Sequence, residues 1–277
     1  MSKNRSRVAA IAVISGISLL LAGCSPEAQR GFLPDASGVT NHTDRIIGLW
    51  TTSWIVLLAV GVASWGLMAW ALIVYRRRKG ETGMPAQLRY NLPIETLFTV
   101  VPLILVLGFF AFTARDMTAI EAKTENPDVH IEVIAKQWSW DFNYVDENTF
   151  DSGIQAQFTG TEENVFETLP TLYLPVNKSV QIDLSSRDVI HSFWVIDFLY
   201  KKDMFPGVTN KMYFTPMKEG AYVGKCAELC GEYHSMMLFN VKVVPQAEYD
   251  AHMAQLAAAG NVGQLDAKFS RNQNLPA

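Results

Sequence analysis

Apolar positions fall along this chain in two rhythms. From Trp50 to Tyr75 and from Leu92 to Thr113 they are almost unbroken, and each run meets the ~20 residues a helix needs to cross ~30 Å of hydrocarbon. Glu95 is the only formal charge in either run. After Arg115 the apolar stretches shorten and are bounded by Gly, Pro, Asn and Asp: Val129 to Tyr144, Thr171 to Val176, Val180 to Leu184, Ile190 to Ile196, Lys211 to Thr215, Ala221 to Lys225 and Leu238 to Val244. That alternation predicts strands. Seven or so strands with no helices alternating among them predict an antiparallel sandwich or barrel of about 130 residues. A short amphipathic helix is expected over Gln246 to Ala259, after Pro245, with a loosely held polar tail beyond Gly260.

The flanks of the apolar runs orient them. Arg76, Arg77, Arg78, Lys79 and Arg89 face a single Glu81 between the runs, and such a basic connection is cytoplasmic. Both outer ends, and everything after Arg115, are then external. The N-terminus agrees: Lys3, Arg5 and Arg7 precede an apolar run from Val8 to Leu21, and Leu21-Ala-Gly-Cys24 follows. This is an export signal whose tetrapeptide resembles a bacterial lipobox, implying cleavage before Cys24 and a lipid on its sulfur. The expected organisation is a signal peptide at 1–23, an external linker at 24–45, spans at 46–75 and 92–114 around a cytoplasmic loop at 76–91, an external domain at 115–245, and a C-terminal helix and tail at 246–277. The fold class is therefore a membrane-anchored all-β protein, a two-helix hairpin followed by a β-sandwich.

Composition narrows the partners. With 277 residues, 49% hydrophobic and 18% charged, the chain carries too much apolar content for disorder. Its formal charge of -4 offers no footprint for nucleic acid. From Asp116 onward, 12 Lys and Arg face 22 Asp and Glu, a net of -10, so the acidity is external. No Lys or Arg occurs between Lys136 and Lys178, a gap holding Asp141, Asp146, Glu147, Asp151, Glu162, Glu163 and Glu167. The gap is either a solvated loop or a steering surface for a basic partner.

Chemistry concentrates in one window, Cys226-Ala-Glu-Leu-Cys230-Gly-Glu-Tyr-His234-Ser-Met-Met237, joined by His191 on an upstream strand. Two thiolates, two imidazoles and a thioether suit copper, since zinc seldom recruits Met and hard cations want oxygen. One Cys, two His and an axial Met would make a mononuclear blue-copper centre; a second Cys at this spacing allows two thiolates to bridge two coppers. A Cys226–Cys230 disulfide would leave the His and Met spacings unexplained. Met236 and Met237 fit core packing as well as ligation.

The window resembles the dinuclear copper (CuA) motif of subunit II of bacterial haem-copper cytochrome c oxidases, and the resemblance extends over the mature chain. It implies a cupredoxin-like Greek-key β-sandwich or barrel, with Cys226 and Cys230 bridging two coppers per chain. His191 and His234 would be the terminal imidazoles, Met237 a weak ligand to one copper and the Glu228 carbonyl a weak ligand to the other. The Glu228 side chain would meet a Mg or Mn ion shared with subunit I. The implied function is electron input to a proton-pumping terminal oxidase of the bacterial cell membrane. Electrons come singly from a c-type cytochrome, soluble or a domain of a bc-type complex, and pass to haem in subunit I, where O2 is reduced. A membrane-anchored copper chaperone would have one span and a βαβ pattern, and a quinol-oxidising relative would lack the copper ligands.

Two further residues take roles from the resemblance. Trp138, in Gln137-Trp-Ser-Trp140 on a strand, would be the surface aromatic where electrons arrive, with Trp140 packed behind it; otherwise both are core residues of a sandwich strand, their i, i+2 spacing putting them on the same face. Glu95, one turn into the second span, would mark the opening of a proton pathway; otherwise it is a carboxylate favoured by the helix N-terminus, with Asn91 as cap. Ser139 between the two Trp, and the extra acids between Tyr144 and Leu169, depart from the commonest family pattern and leave the donor's identity open.

Overall fold

The computed structural model describes residues 25–84, 87–156 and 162–268. The signal peptide and Cys24 lie outside the described residues. Among the described residues the chain forms two compact units, one of residues 25–35 and 50–74 and one of residues 36–49 and 75–268.

A single-turn helix α1 (Pro26–Gln29) is capped by Ser25 and precedes α2 (Thr43–Val74); α3 (Leu92–Ile120) follows the basic connection. Eighteen-residue windows in α2 and α3 reach mean hydropathies of 2.1 and 2.4 with none of their residues buried. Apolar helices of 32 and 29 residues whose side chains face outward have hydrocarbon as their natural solvent, because the cost of such a surface in water is prohibitive. Each helix is longer than the apolar run that predicts it by about two turns of mixed polarity, α2 at its start over Thr43–Leu49 and α3 at its end over Ala114–Ile120.

Among the described residues the external domain has ten strands in two five-stranded sheets, ordered β3-β2-β1-β5-β8 and β4-β10-β9-β6-β7. They are β1 (Val129–Lys136), β2 (Ser139–Tyr144), β3 (Thr149–Ser152), β4 (Thr171–Pro175), β5 (Val180–Ser186), β6 (His191–Val195), β7 (Tyr200–Met204), β8 (Asn210–Phe214), β9 (Gly220–Cys226) and β10 (Leu238–Val244). Helix α4 (Glu162–Glu167) precedes β4, and α5 (Gln246–Ala258) follows β10. The sandwich is as expected; its pairing is not. β1 runs parallel to β5, and β4 parallel to β10, so the sheets are mixed rather than antiparallel. The long run from Val129 to Tyr144 folds as two strands joined by the turn Gln137–Trp138.

Inward-facing side chains of both sheets fill one core, with Ile131, Val133, Trp140, Phe142, Leu172, Leu184, Phe193, Phe239 and Val241 at most 1% exposed. Phe239 stacks on Phe193 at 5.0 Å and meets Trp140 edge-on at 5.0 Å. Gly224 on β9 makes room for that ring, because a Cβ there would overlap the Phe239 side chain.

Two segments expected to be slack are tied down. In the linker, Asn41 N–H donates to Thr215 O at 3.1 Å, Met217 N–H to Val39 O at 2.8 Å, and the buried His42 ring meets Tyr213 O through Nε2 at 2.8 Å. At the C-terminus, Leu265 N–H donates to Asn143 Oδ1 at 2.8 Å while Asn143 Nδ2 donates to Leu265 O at 2.9 Å. The tail is therefore held at least to Asp266, whose carbonyl accepts from Arg187 Nε at 2.9 Å. Backbone groups left at a sheet edge find partners in these straps.

Candidate metal centre

The ladder assembles the site. β6 and β9 are antiparallel neighbours with Phe193 opposite Cys226, so His191 at the start of one and Cys226 at the end of the other share a sheet margin. The connection from β9 to β10 then doubles back: Cys226 N–H donates to Met237 O at 2.9 Å and Ala227 N–H to Ser192 O at 3.0 Å. With its ends pinned, the loop carries Cys230, the short 3₁₀ turn His234–Met236 and Met237 over Cys226.

All six predicted ligand groups converge. Cys226 Sγ lies 3.8 Å from Cys230 Sγ, 3.7 Å from His191 Nδ1 and 3.1 Å from the Glu228 carbonyl. Cys230 Sγ lies 3.5 Å from His234 Nδ1 and 3.8 Å from Met237 Sδ. The ligand atoms of His191, Cys226 and Cys230 lie within 4.8 Å of one another, and all three residues are buried. Geometry also separates the two methionines: Met237 is fully buried at the sulfurs, while Met236 packs on the small cluster of Ala156, Val165 and Leu169. Both cysteines are unpaired thiols. Hydrogen bonding with Cys230 and with His191 draws the Cys226 thiol down, while Cys230, hydrogen-bonded to Cys226 and buried against it, is pushed up. Two buried thiols beside two imidazoles and a thioether form a soft donor set.

Asp188 was not among the predicted residues, and it holds the inner face. Its Oδ1 lies 2.8 Å from His191 Nε2 and accepts from Val189 N–H at 2.7 Å; its Oδ2 accepts from Gln137 N–H at 2.7 Å. Burial opposes the Asp188 charge, but these donors outweigh it and hold its carboxyl below the usual range. Burial likewise opposes the His191 cation, and the Asp188 carboxylate and Cys226 outweigh it, raising the imidazole's basicity. With Nε2–H directed to Asp188, the Nδ1 lone pair is left aimed at the sulfurs. The i, i+3 spacing of Asp188 and His191 was the available signal.

Trp138 and Gln137 lie on the turn and not on a strand, which corrects the expectation that Trp138 and Trp140 share a strand face. Both turn residues clamp the ligand loop: Gln137 Nε2 donates to Cys230 O at 2.7 Å and Trp138 Nε1 to the same oxygen at 3.3 Å. Gly231, at φ +126°, lets the loop pass, since a Cβ there would stand 3.1 Å from both Gln137 Nε2 and Trp138 Cζ2. Trp138 packs edge-on against Tyr233 at 5.0 Å. Trp140 is wholly buried, 6.5 Å from the His191 ring.

Glu228 is exposed beside the cluster. Glu95 caps its helix: Asn91 N–H donates to Glu95 Oε1 at 2.8 Å, and Asn91 Oδ1 accepts from Ile94 N–H at 3.4 Å. Two acids of the acidic gap point inward. Asp141 is fully buried and receives Lys136 Nζ at 2.6 Å, and Glu147 receives the Tyr249 hydroxyl at 3.0 Å.

Residues 129–244 match the family described as cytochrome c oxidase subunit II, periplasmic domain. A probable cytochrome c oxidase subunit 2 of Streptomyces avermitilis is 42% identical over 263 residues, covering 85% of this chain and 82% of the relative. The chain belongs to the cytochrome c oxidase subunit II family. The Streptomyces coelicolor relative, also a probable subunit 2, is 40% identical and covers 95% of this chain and 91% of its own length. Among solved structures, the periplasmic domain of subunit II of the Bradyrhizobium japonicum cytochrome oxidase is 28% identical with a TM-score of 0.45, covering 50% of this chain and 99% of that one. As a subunit II, the chain is the electron-input part of a membrane-bound oxidoreductase complex, anchored by its apolar helices with the sandwich outside.

Proposed function

We propose that His191, Cys226, Cys230, His234, Met237 and the Glu228 carbonyl hold two copper ions, and that electrons from a c-type cytochrome arrive at Trp138 and leave toward a haem-copper subunit I. The observation that carries this is the donor set: two unpaired sulfurs 3.8 Å apart, each with one imidazole Nδ1 beside it. Soft sulfur and imidazole ligands on a rigid margin favour copper, which held there would supply one-electron transfer with little rearrangement of the donors. The chain's own residues do the rest. Asp188 fixes the tautomer and tilt of His191, Gln137 and Trp138 hold the Cys230 carbonyl, and the half-buried Trp138 ring presents an aromatic edge at the surface.

Further assignments complete the reading. The exposed Glu228 carboxylate would reach a Mg or Mn ion at the boundary with subunit I. Glu95 would admit protons at the cytoplasmic end of its span, with Asn91 holding its carboxylate in place. Cys24 would carry a lipid after signal cleavage. The acidic surface would meet a basic donor, either a soluble cytochrome or a domain of a bc-type complex.

Counting copper in the purified oxidase tests the centre. Two coppers in this chain with an unpaired electron shared between both nuclei are expected, and Cys226→Ser or Cys230→Ser should abolish that shared signal. An electron confined to one nucleus in the unmodified chain would overturn the assignment. Glu95→Gln should slow turnover without slowing reduction of the copper; unaltered turnover would return Glu95 to capping alone.

A further inference from the structure

Two cations are buried next to the metal centre without being part of it. Lys136 ends β1 and Arg187 follows β5, and each is only 6% exposed. They share one carboxylate, the fully buried Asp141 of β2: Lys136 Nζ lies 2.6 Å from Oδ1 and Arg187 Nη1 3.8 Å from Oδ2. Ser152 Oγ donates to the same Oδ1 at 2.7 Å. On its other side Arg187 Nε donates to the carbonyl of Asp266 at 2.9 Å. That carbonyl belongs to the C-terminal strap, which is itself fixed by the paired bonds between Asn143 and Leu265, by Gly263 N–H on Asn148 O at 2.9 Å, and by Phe150 N–H on Asn261 O at 3.2 Å. Burying two cations on one carboxylate is a poor way to gain stability, since desolvation cancels much of the attraction. It is a good way to fix geometry, because a planar guanidinium with partners on two sides has one orientation.

What Arg187 fixes is seen one residue on. β1 and β5 run parallel with Ala135 opposite Ser186, and Arg187 N–H donates to Ala135 O at 3.0 Å. The Gln137–Trp138 turn leaves β1, and the crossing to His191 leaves β5, from neighbouring points. Arg187 points its side chain into the first sheet, and Asp188 points to Gln137 and His191. We infer that Arg187 is a positioning residue for the metal centre: it locks the crossing between the sheets so that Asp188 holds His191 Nδ1 on the sulfurs, and the C-terminal strap Asn261–Asp266 is the outer half of that lock. The inference rests on the copper reading of the site.

The test uses the full chain in the assembled oxidase, with Arg187→Gln, Arg187→Lys and a truncation after Gly263 that removes Leu265 and Asp266 and leaves Arg187 itself intact. Copper per chain, the hyperfine pattern of the shared electron and copper loss to a chelator are measured on each. Arg187→Gln should retain copper with an altered hyperfine pattern and lose it about tenfold faster, the scale on which outer partners of metal-bound imidazoles act. Arg187→Lys, which keeps the charge but lacks the planar fork of the guanidinium, should fall between Gln and the unmodified chain. The truncation should move the spectrum in the same direction by less. An unchanged spectrum and chelation rate in Arg187→Gln would overturn the positioning role. If that variant does not assemble, an unchanged spectrum in the truncated chain overturns it instead. If the unmodified chain binds no copper, the reading of the site has failed, and not this inference alone.

Discussion

The two ends of β2 treat a carboxyl group in opposite ways. At the metal end, Asp188 gathers Gln137 N–H and Val189 N–H at 2.7 Å and His191 Nε2 at 2.8 Å, and its carboxyl is held below the ordinary range. At the far end, in the turn from β2 to β3, burial pushes the Glu147 carboxyl up; the Tyr249 hydroxyl at 3.0 Å is too little to reverse it, and Glu147 Oε2 is buried with no partner. At Asp188 the donors converge on the one carboxylate that aims an imidazole. Where no ligand depends on it, the fold tolerates an ill-matched acid. The same contrast runs through the two imidazoles, since His191 is fully buried on a strand and His234 is half-buried on a loop turn.

If the metal end is the preset one, the largest effect should follow from breaking its inner arm. His191→Gln should cost copper affinity ~100-fold or more, measured by competition with a chelator, and His234→Gln clearly less, because the loop can readjust and the strand cannot. Equal losses would erase the difference between the arms. Asp188→Asn should come next, at about tenfold, because an amide can offer its NH2 to Nε2 and turn the imidazole to the wrong tautomer. An Asp188→Asn chain with unmodified affinity and hyperfine pattern would show that the carboxylate is not what aims Nδ1. Smaller again in its effect on the copper is Trp138→Ala. Its spectrum should stay nearly unchanged, since Gln137 still holds the Cys230 carbonyl at 2.7 Å, while stopped-flow reduction by a c-type cytochrome slows. If binding of that donor is steered by the acidic surface, its association rate should also fall as salt shortens the ~10 Å Debye length.

How much of this was legible in the chain depends on the range of the signal. The spans and most strands could be read because period and run length are local. The ligands could be read because Cys226 to Met237 is one window and His191 opens a strand of its own. β7 could not, since Tyr200-Lys-Lys-Asp-Met204 on a sheet edge has no clean alternation, and neither could the four-residue β3. The parallel pairings of β1 with β5 and β4 with β10 join segments distant in sequence, and alternation within one strand is silent on which neighbour it takes. Nothing local in the sequence marks Lys136, Asp141 and Arg187 as buried, because charge normally lies at the surface. Their burial follows from converging on one another, which only the folded register brings about.

The smallest effect tests the far end. Because the folded Glu147 carboxyl sits above its unfolded value, the native state binds the more protons there. The favourable contribution is complete below the unfolded value near ~4.3 and is lost as pH rises through the folded one, so at pH 7 Glu147 acts against the fold. Glu147→Gln removes the charge and keeps an oxygen for the Tyr249 hydroxyl. The full chain in detergent should then melt about 2 °C higher at pH 7, corresponding to roughly 0.5–1 kcal/mol for a domain of this size, and the gain should shrink as pH falls toward 4. Asp188→Asn should do the reverse in the copper-free chain. Its carboxylate is stabilised when ionised, so the loss is largest at neutral pH and fades on acidification as the unmodified chain loses the same contribution. Melts of both variants against pH that slope the same way would show that the two ends of β2 are not the opposites their hydrogen bonds describe.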